Sequence, residues 1–136
     1  FAALSEELFK KCGLKNTSHP NMDSSRVKSY TGDEAGELRP ELTSLRHYVA
    51  AGAFISNAED LLKWNKIFYS GELFTKESMK LLLTQHPVAI RNHPLFGETR
   101  YGYGITVDTK DGIVQYGQTG FAPGFVSMNF YYPEKT

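Results

Sequence analysis

Several features that mark large functional classes are absent or scarce in this sequence of 136 residues. A single cysteine, Cys12, excludes an internal disulfide framework and a cysteine-based zinc site. The 15 Lys and Arg residues are balanced by 15 Asp and Glu residues, so the chain lacks the excess positive charge that binds nucleic-acid phosphates. No apolar run approaches about 18 residues, the length that a transmembrane helix requires. These absences argue against a nucleic-acid partner, a membrane span and a disulfide scaffold.

A metal site is also not expected. The four histidines are scattered and show no H-x-x-x-H spacing; they are His19, His47, His86 and His93. Three of them would have to converge from separate elements to hold a zinc ion. We therefore expect neither a metal nor another cofactor. Cys12 precedes Gly13 near a predicted helix C-terminus, which lacks the positive field that activates a thiolate, so we expect it to be an inert packed side chain.

The first part of the chain predicts helices separated by a long loop. Apolar residues at helical spacing predict a helix over Ala2–Cys12, and Gly13 is a suitable C-terminal cap. The stretch 14–41 is polar and predicts a loop with short strands. A loop of this length is usually functional or packed against another part of a protein.

Two further helices are predicted from their start signals. Ser56 or Asn57 can cap a helix that ends at Gly71. Asp60 lies in the first turn of this helix, where a carboxylate stabilises free backbone amides. Thr75 caps the next helix, which stops before residue 87.

The last third predicts antiparallel strands. Strands are predicted over Tyr101–Thr109, Ile113–Gln118 and Phe125–Tyr132, with a turn at 110–112. Helices followed by such strands indicate a mixed α+β fold.

Five segments, in order and at plausible spacings, resemble motifs of one enzyme family. They are Leu8–Thr17 ("pLGMxdT"), Ala50–Leu61 ("aaGGlxSTaxDla"), Tyr101–Ile105 ("YGlGw"), Tyr116–Phe125 ("yGHtGxxpGf") and Tyr131–Glu134, which resembles the strand end that follows. The family is that of the serine β-lactamases and penicillin-binding proteins, in its branch of class C β-lactamases, D-Ala-D-Ala carboxypeptidases and esterases. The resemblance implies a β-lactamase/transpeptidase-like fold. It also implies that residues 1–136 are a C-terminal fragment of a single domain, with a helical and loop part over about 1–95 and antiparallel strands over about 99–133.

The nucleophile of this family is not expected in the chain. The family uses the serine of an S-x-x-K box and a tyrosine from a Y-x-N box, and both lie upstream of the segment that matches Phe1. Ser25-Arg26-Val27-Lys28 fits S-x-x-K, but it lies in the polar loop and we interpret it as a chance match. No catalytic residue is therefore assigned in this chain.

The third box of the family is present in altered form as Gln118-Thr119-Gly120. In the family, a lysine or histidine opens this box on an edge strand beside the nucleophile. The resemblance implies a substrate-binding role for Gln118, Thr119, Gly120 and Phe121, with the Phe121 amide as one donor of the oxyanion hole. A threonine hydroxyl can bond a substrate carbonyl or carboxylate, and a glycine lets the substrate lie close to the strand. Gln118 carries no charge, which favours a neutral ester or amide or else a degenerate site. The simpler alternative is a strand that runs into a glycine turn.

These observations predict part of a serine hydrolase that attacks amide or ester bonds through an acyl-enzyme. The substrate would be a β-lactam, a D-Ala-D-Ala peptide from peptidoglycan or a small ester. The alternative is a catalytically silent binding or scaffold module with the same fold. The family is mostly exported in bacteria, which implies a periplasmic or extracellular location. Exposed strand edges predict a homodimer or strand exchange.

Overall fold

The computed structural model describes residues 3, 5–19, 28–41, 48, 51–52, 54–94 and 96–135. These residues divide between two compact units, one formed by Phe1–Trp64 and Gly120–Ser127, the other by Asn65–Thr119 and Met128–Thr136. The chain contains helices and antiparallel sheets, which confirms the mixed α+β class.

The helical elements within the described residues are short. A π-helical turn spans Ser5–Phe9, helix α1 spans Ala58–Ser70 and helix α2 spans Lys76–Leu83. A 3₁₀ turn spans Pro133–Lys135. Within the described residues, no helix is long and apolar enough to cross a membrane.

In the part of the chain that the structure describes, seven strands form three small sheets. Strands β1 and β2 pair over Tyr30–Gly32 and Leu38–Pro40, and β3 and β4 pair over Ile90–His93 and Gly97–Arg100, both antiparallel. The third sheet has the order β5-β6-β7. Its strands are β5 over Thr106–Lys110, β6 over Ile113–Ala122 and β7 over Phe125–Tyr131.

The start signals of α1 and α2 are confirmed. The side chain of Asn57 accepts a hydrogen bond from the Asp60 N–H at 2.9 Å, so Asn57 is the residue that caps α1. The Thr75 hydroxyl accepts one from the Ser78 N–H at 3.2 Å at the start of α2. Both caps are local interactions, which is why the sequence predicts them well.

The helix predicted over Ala2–Cys12 is confirmed in part. Ala3 is α-helical, Ser5–Phe9 form the π-helical turn, and turns follow up to Gly13, which has a φ of +65°. Ala2 and Leu4 lie outside the described residues.

The predicted strand over Tyr101–Thr109 begins only at Thr106. Residues 102–105 form a tight loop, in which the Gly102 N–H donates to the Ile105 carbonyl at 2.9 Å. A side chain at Gly102 would overlap the Leu82 carbonyl of α2, so this loop packs closely against the end of that helix.

The interior is rich in polar groups. Phe9, Cys12 and Leu14 are buried in the first unit, which confirms the packed cysteine, and Val107 is buried in the second. Buried polar side chains outnumber these apolar ones among the described residues: they are His19, Asp60, Asn65, Thr99, Thr106 and Asp108. A structure with this interior depends on hydrogen bonds between its polar groups.

Candidate functional site

Strand β6 extends beyond its neighbour β5 at the end that carries the predicted site. The pairing of the two strands runs from Lys110 opposite Ile113 to Thr106 opposite Gly117 and ends there. The strand itself continues to Ala122. Residues 118–122 therefore lie past the end of β5, although β6 is the middle strand of its sheet. The order of the sheet contradicts the expectation of an edge strand for β6 as a whole; among the described residues, only this last stretch has no strand beside it on the side of β5.

The four predicted residues follow one another along this stretch with different exposures. Gln118 is exposed, Thr119 and Gly120 are half-buried, and Phe121 is 80% exposed. Gln118 and Thr119 belong to the second unit, and Gly120 and Phe121 to the first. Successive side chains of a strand point to opposite faces, so Gln118 and Thr119 do not present their polar groups to the same face.

The hydroxyl of Thr119 has a partner that the sequence did not indicate. The Nε2 atom of His93, at the end of β3, lies 2.9 Å from the Thr119 Oγ1. Either atom can be the donor, according to which ring nitrogen carries the proton. The two residues are 26 positions apart, and no spacing motif joins them.

The imidazole of His93 is held by a residue of the β3–β4 hairpin, to which His93 itself belongs. Its ring stacks on Phe96 at 4.8 Å between centroids, with an angle of 30° between the planes. Phe96 in turn makes an edge-to-face contact with Phe130 at 5.7 Å. The Lys110 ammonium donates to the Phe96 carbonyl at 2.6 Å and lies 5.3 Å from the centre of the Phe96 ring. Phe96 is thus fixed on several sides, and it restricts the orientation of His93.

Glycines allow β6 to approach its neighbours closely. A Cβ atom at Gly117 would overlap the Asn129 carbonyl and Phe130, so a larger residue is excluded there. At Gly120 a Cβ would lie 2.5 Å from the hydroxyl of Ser127, which can rotate away. The close approach at Gly117 therefore requires glycine for packing, whereas Gly120 is less constrained by protein atoms.

The turn after β6 is fixed by Gly124. This residue has a φ of +73°, and a Cβ there would lie 2.5 Å from the Cβ of Ser29. Ser29 precedes β1 in the same unit, so the β6–β7 turn packs against the start of that strand.

A buried carboxylate joins the segments 8–17 and 50–61, which carried two of the sequence motifs. Asp60 is fully buried and accepts hydrogen bonds from the Asn16 N–H at 2.7 Å and the Thr17 hydroxyl at 3.0 Å. Backbone hydrogen bonds of 2.9 Å between Ser18 and Ile55, one in each direction, continue the connection. Asp60 lies in the first turn of α1, as predicted, but its carboxylate accepts hydrogen bonds from the preceding loop and not from the amides of its own helix.

The pKa of Asp60 is lowered by this environment. Burial by itself would raise the pKa, but the hydrogen bonds from Asn16 and Thr17 and the charge of Lys63, at 3.8 Å, more than offset it. The carboxylate therefore stays ionised and is a structural anchor, not a proton donor.

Three tyrosines form a stack in the second unit. Tyr69, from α1, lies 4.4 Å from the ring centre of Tyr131 and 5.7 Å from that of Tyr116, nearly parallel to both. Burial, followed by the effects of Tyr116 and Tyr131, raises the pKa of Tyr69 to about 12. An unionised tyrosine in a stack supports packing between α1 and strands β6 and β7.

Two sequence candidates cannot be placed. Ser25 of the chance S-x-x-K match and His47 lie outside the described residues. Within the described part of the chain, no three side chains of His, Cys, Asp and Glu converge as metal ligands would.

A sequence model of the family named Beta-lactamase matches residues 2–136. The chain belongs to the beta-lactamase family. The match confirms the resemblance given by the five motifs, and within this family the strand β6 carries the segment that resembles the third box. Comparison with curated protein sequences finds no match.

Solved structures confirm a beta-lactamase-like fold. The octameric penicillin-binding protein homologue from Pyrococcus abyssi has a TM-score of 0.75 and 22% identity, over 98% of this chain and 31% of its own. The penicillin binding protein from Bacillus halodurans has a TM-score of 0.71 and 19% identity, over 98% of this chain and 40% of its own. The D-amino acid amidase from Ochrobactrum anthropi SV3, complexed with L-phenylalanine amide, has a TM-score of 0.71 and 17% identity, over 92% of this chain and 38% of its own. The chain thus spans between 31% and 40% of the length of these structures.

Proposed function

We propose that this chain is the C-terminal part of a serine hydrolase that cleaves amide or ester bonds through an acyl-enzyme. The observation that carries the proposal is the stretch 118–122 of β6, which lies past the end of β5 and carries the altered third box. Among the described residues, no strand pairs with this stretch on the side of β5, so its backbone can hydrogen-bond an extended substrate. Membership of the beta-lactamase family supports serine chemistry at this strand.

In this proposal the four residues hold the substrate and do not attack it. The Thr119 hydroxyl binds a substrate oxygen and Gly120 leaves room for the substrate backbone, whereas Gln118 offers its uncharged amide to a part of the substrate on the other face of the strand. The Phe121 N–H would donate to the oxygen that becomes negative when the carbonyl is attacked. The nucleophilic serine and its lysine would come from outside this chain, because no catalytic residue is assigned within it.

The test is covalent labelling of the full-length protein that carries this chain. The protein is incubated with a fluorescent penicillin and, separately, with p-nitrophenyl butyrate, and acyl adducts are detected by mass spectrometry. We expect a stoichiometric adduct on the full-length protein and none on the isolated chain 1–136, because without the serine no acyl-enzyme forms. Absence of both adduct and hydrolysis in the full-length protein contradicts the proposal.

A binding or scaffold module without catalysis is the second candidate. Gln118 favours it, since the family places a lysine or histidine at the first position of this box. An upstream sequence in which the serine or the lysine of S-x-x-K is replaced would favour this candidate, and an intact box would argue against it.

The location and the partners are proposed from the family. We infer a periplasmic or extracellular protein, and a small molecule or a peptidoglycan-like peptide as its substrate. The Pyrococcus abyssi homologue is octameric, which supports self-association of this protein as well.

A further inference from the structure

We propose that His93 is a positioning residue that directs the Thr119 hydroxyl towards an oxygen atom of the substrate. This inference rests on the proposed function, because it concerns the same strand. Its starting point is the distance of 2.9 Å between the His93 Nε2 and the Thr119 Oγ1. Nothing in the sequence motifs assigns a role to His93.

The direction of the hydrogen bond between His93 and Thr119 decides what the Thr119 hydroxyl can bind. If Nε2 is unprotonated, the threonine donates its proton to the imidazole and offers only lone pairs to a ligand. If Nε2 carries a proton, it donates to the Thr119 oxygen, and the hydroxyl proton is free to be donated onward. Carbonyl and carboxylate oxygens are acceptors. Only the second arrangement therefore suits an amide, an ester or an acid.

The residues around His93 hold its ring where it can donate to the Thr119 oxygen. Phe96 stacks on the imidazole at 4.8 Å and is itself held by Phe130 and Lys110. His93 also pairs with Gly97 in the register of the β3–β4 hairpin, so its backbone is fixed as well. A preorganised donor of this kind loses little conformational entropy when a substrate binds.

His93 also accounts for the altered third box. Gln118 is exposed and uncharged, and its side chain leaves the strand on the face opposite to that of Thr119. The imidazole places a hydrogen-bonding group next to the box, but through Thr119 instead of through the first residue of the box. The ligand class is therefore an acyl compound that presents a carboxylate or carbonyl oxygen to Thr119.

The experiment compares variants of the full-length protein on benzylpenicillin and its methyl ester, with kcat and KM measured separately. His93→Phe keeps an aromatic ring on Phe96 but removes the donor, and we expect it to lower kcat/KM about tenfold, the effect of one lost hydrogen bond. His93→Gln keeps a donor and should recover activity to within about threefold of wild type. His86→Gln is the matched control, because His86 also precedes a proline and is exposed, and it should leave both constants unchanged.

Thr119→Val tests whether His93 acts through the threonine. The double variant of His93→Phe and Thr119→Val should lose no more kcat/KM than Thr119→Val alone, because His93 acts only through Thr119. A loss confined to the free acid assigns the bound oxygen to the carboxylate, and an equal loss with the methyl ester assigns it to the carbonyl. Unchanged activity of His93→Phe, failure of His93→Gln to recover activity, or multiplicative losses in the double variant overturn the inference.

A second measurement separates this inference from the proposed function. If the wild-type protein hydrolyses neither substrate, the hydrolase proposal fails. Binding of N-acetyl-D-alanine and its amide to the same variants, measured by calorimetry, then tests whether His93 positions the Thr119 hydroxyl. Binding that is weakened by His93→Phe and kept by His93→Gln supports it, and absence of binding to the wild type overturns it.

Discussion

At the scale of single residues, Asp60 contributes most clearly to stability. Its carboxylate receives hydrogen bonds from Asn16 and Thr17 in a fully buried position. We expect Asp60→Asn to lower the free energy of unfolding by about 2 kcal/mol, the usual range for hydrogen bonds to a charged group. Urea unfolding followed by circular dichroism measures the change.

The control for this variant is Glu59→Gln. Glu59 precedes Asp60 in the same helical turn, but its side chain is 70% exposed and pairs with Lys63 at 2.8 Å. We expect a change below about 0.5 kcal/mol, as for most exposed ion pairs. Equal losses in the two variants would show that burial of Asp60 has no special importance.

The same anchor gives a pH dependence with a definite sign. The pKa of Asp60 is lower in the folded protein than the ordinary value of 3.8. Its contribution to stability is therefore complete above that value and is lost as the pH falls through the lower pKa of the folded state. Asp60→Asn should make this part of the acid dependence disappear.

Tyr69 gives a second prediction, at alkaline pH. Its pKa is raised from 10.0 to about 12, first by burial and then by Tyr116 and Tyr131. The contribution of Tyr69 to the free energy of unfolding is complete below pH 10 and decreases as the pH rises towards about 12, because the Tyr69 phenol ionises at lower pH in the unfolded chain than in the folded protein. A spectrophotometric titration of tyrosinate should show a late step that Tyr69→Phe removes. Complete titration near the ordinary value would contradict the stacked, half-buried arrangement.

At the scale of elements, the turn between β6 and β7 depends on Gly124. We expect Gly124→Ala to destabilise the protein by more than Gly36→Ala. Both glycines have a positive φ, which costs an alanine about 1 kcal/mol, but only Gly124 also meets Ser29. The difference in thermal stability between the two variants measures the effect of the contact with Ser29. Equal losses of stability would show that this contact does not contribute.

The sequence predicts those elements whose causes are local. The caps at Asn57 and Thr75 and the turn at Asp111 and Gly112 depend on residues a few positions apart. The β3–β4 hairpin escapes prediction because most of its residues, among them Arg91, Asn92 and Glu98, are polar, so no apolar alternation marks it.

The site is predicted only in part for the same reason. The box Gln118-Thr119-Gly120 is readable because its residues are adjacent. His93 is not readable, because its contact with Thr119 depends on how the β3–β4 hairpin is placed within its unit. Likewise, the carboxylate of Asp60 serves a loop 44 positions away, which no helix pattern can indicate.

At the scale of the whole molecule, exposed apolar side chains predict self-association of the isolated chain. Phe121 is 80% exposed, Val126 67% and Met128 57%, in the part of the chain around the β6–β7 turn. Unpaired strand edges and apolar groups of this kind favour pairing with a second copy.

Multi-angle light scattering tests this prediction. We expect the mass of a dimer or larger species at high concentration and a shift towards the monomer in Phe121→Ser. Leu62→Ser is the control, because Leu62 is also exposed, at 55%, but lies on helix α1. A wild-type chain that stays monomeric at every concentration contradicts the prediction.

The anchor at Asp60 also bears on how the chain tolerates changes in length. Its bond to Asn16 closes a loop of 44 positions. The entropic cost of closing a loop rises only with the logarithm of its length, by about 0.6 kcal/mol for each doubling. Residues added within the exposed part of the turn, at 34–36, would therefore weaken the contact between Asp60 and Asn16 little. That turn is a natural place for insertions to accumulate during evolution, and a practical place to attach a label.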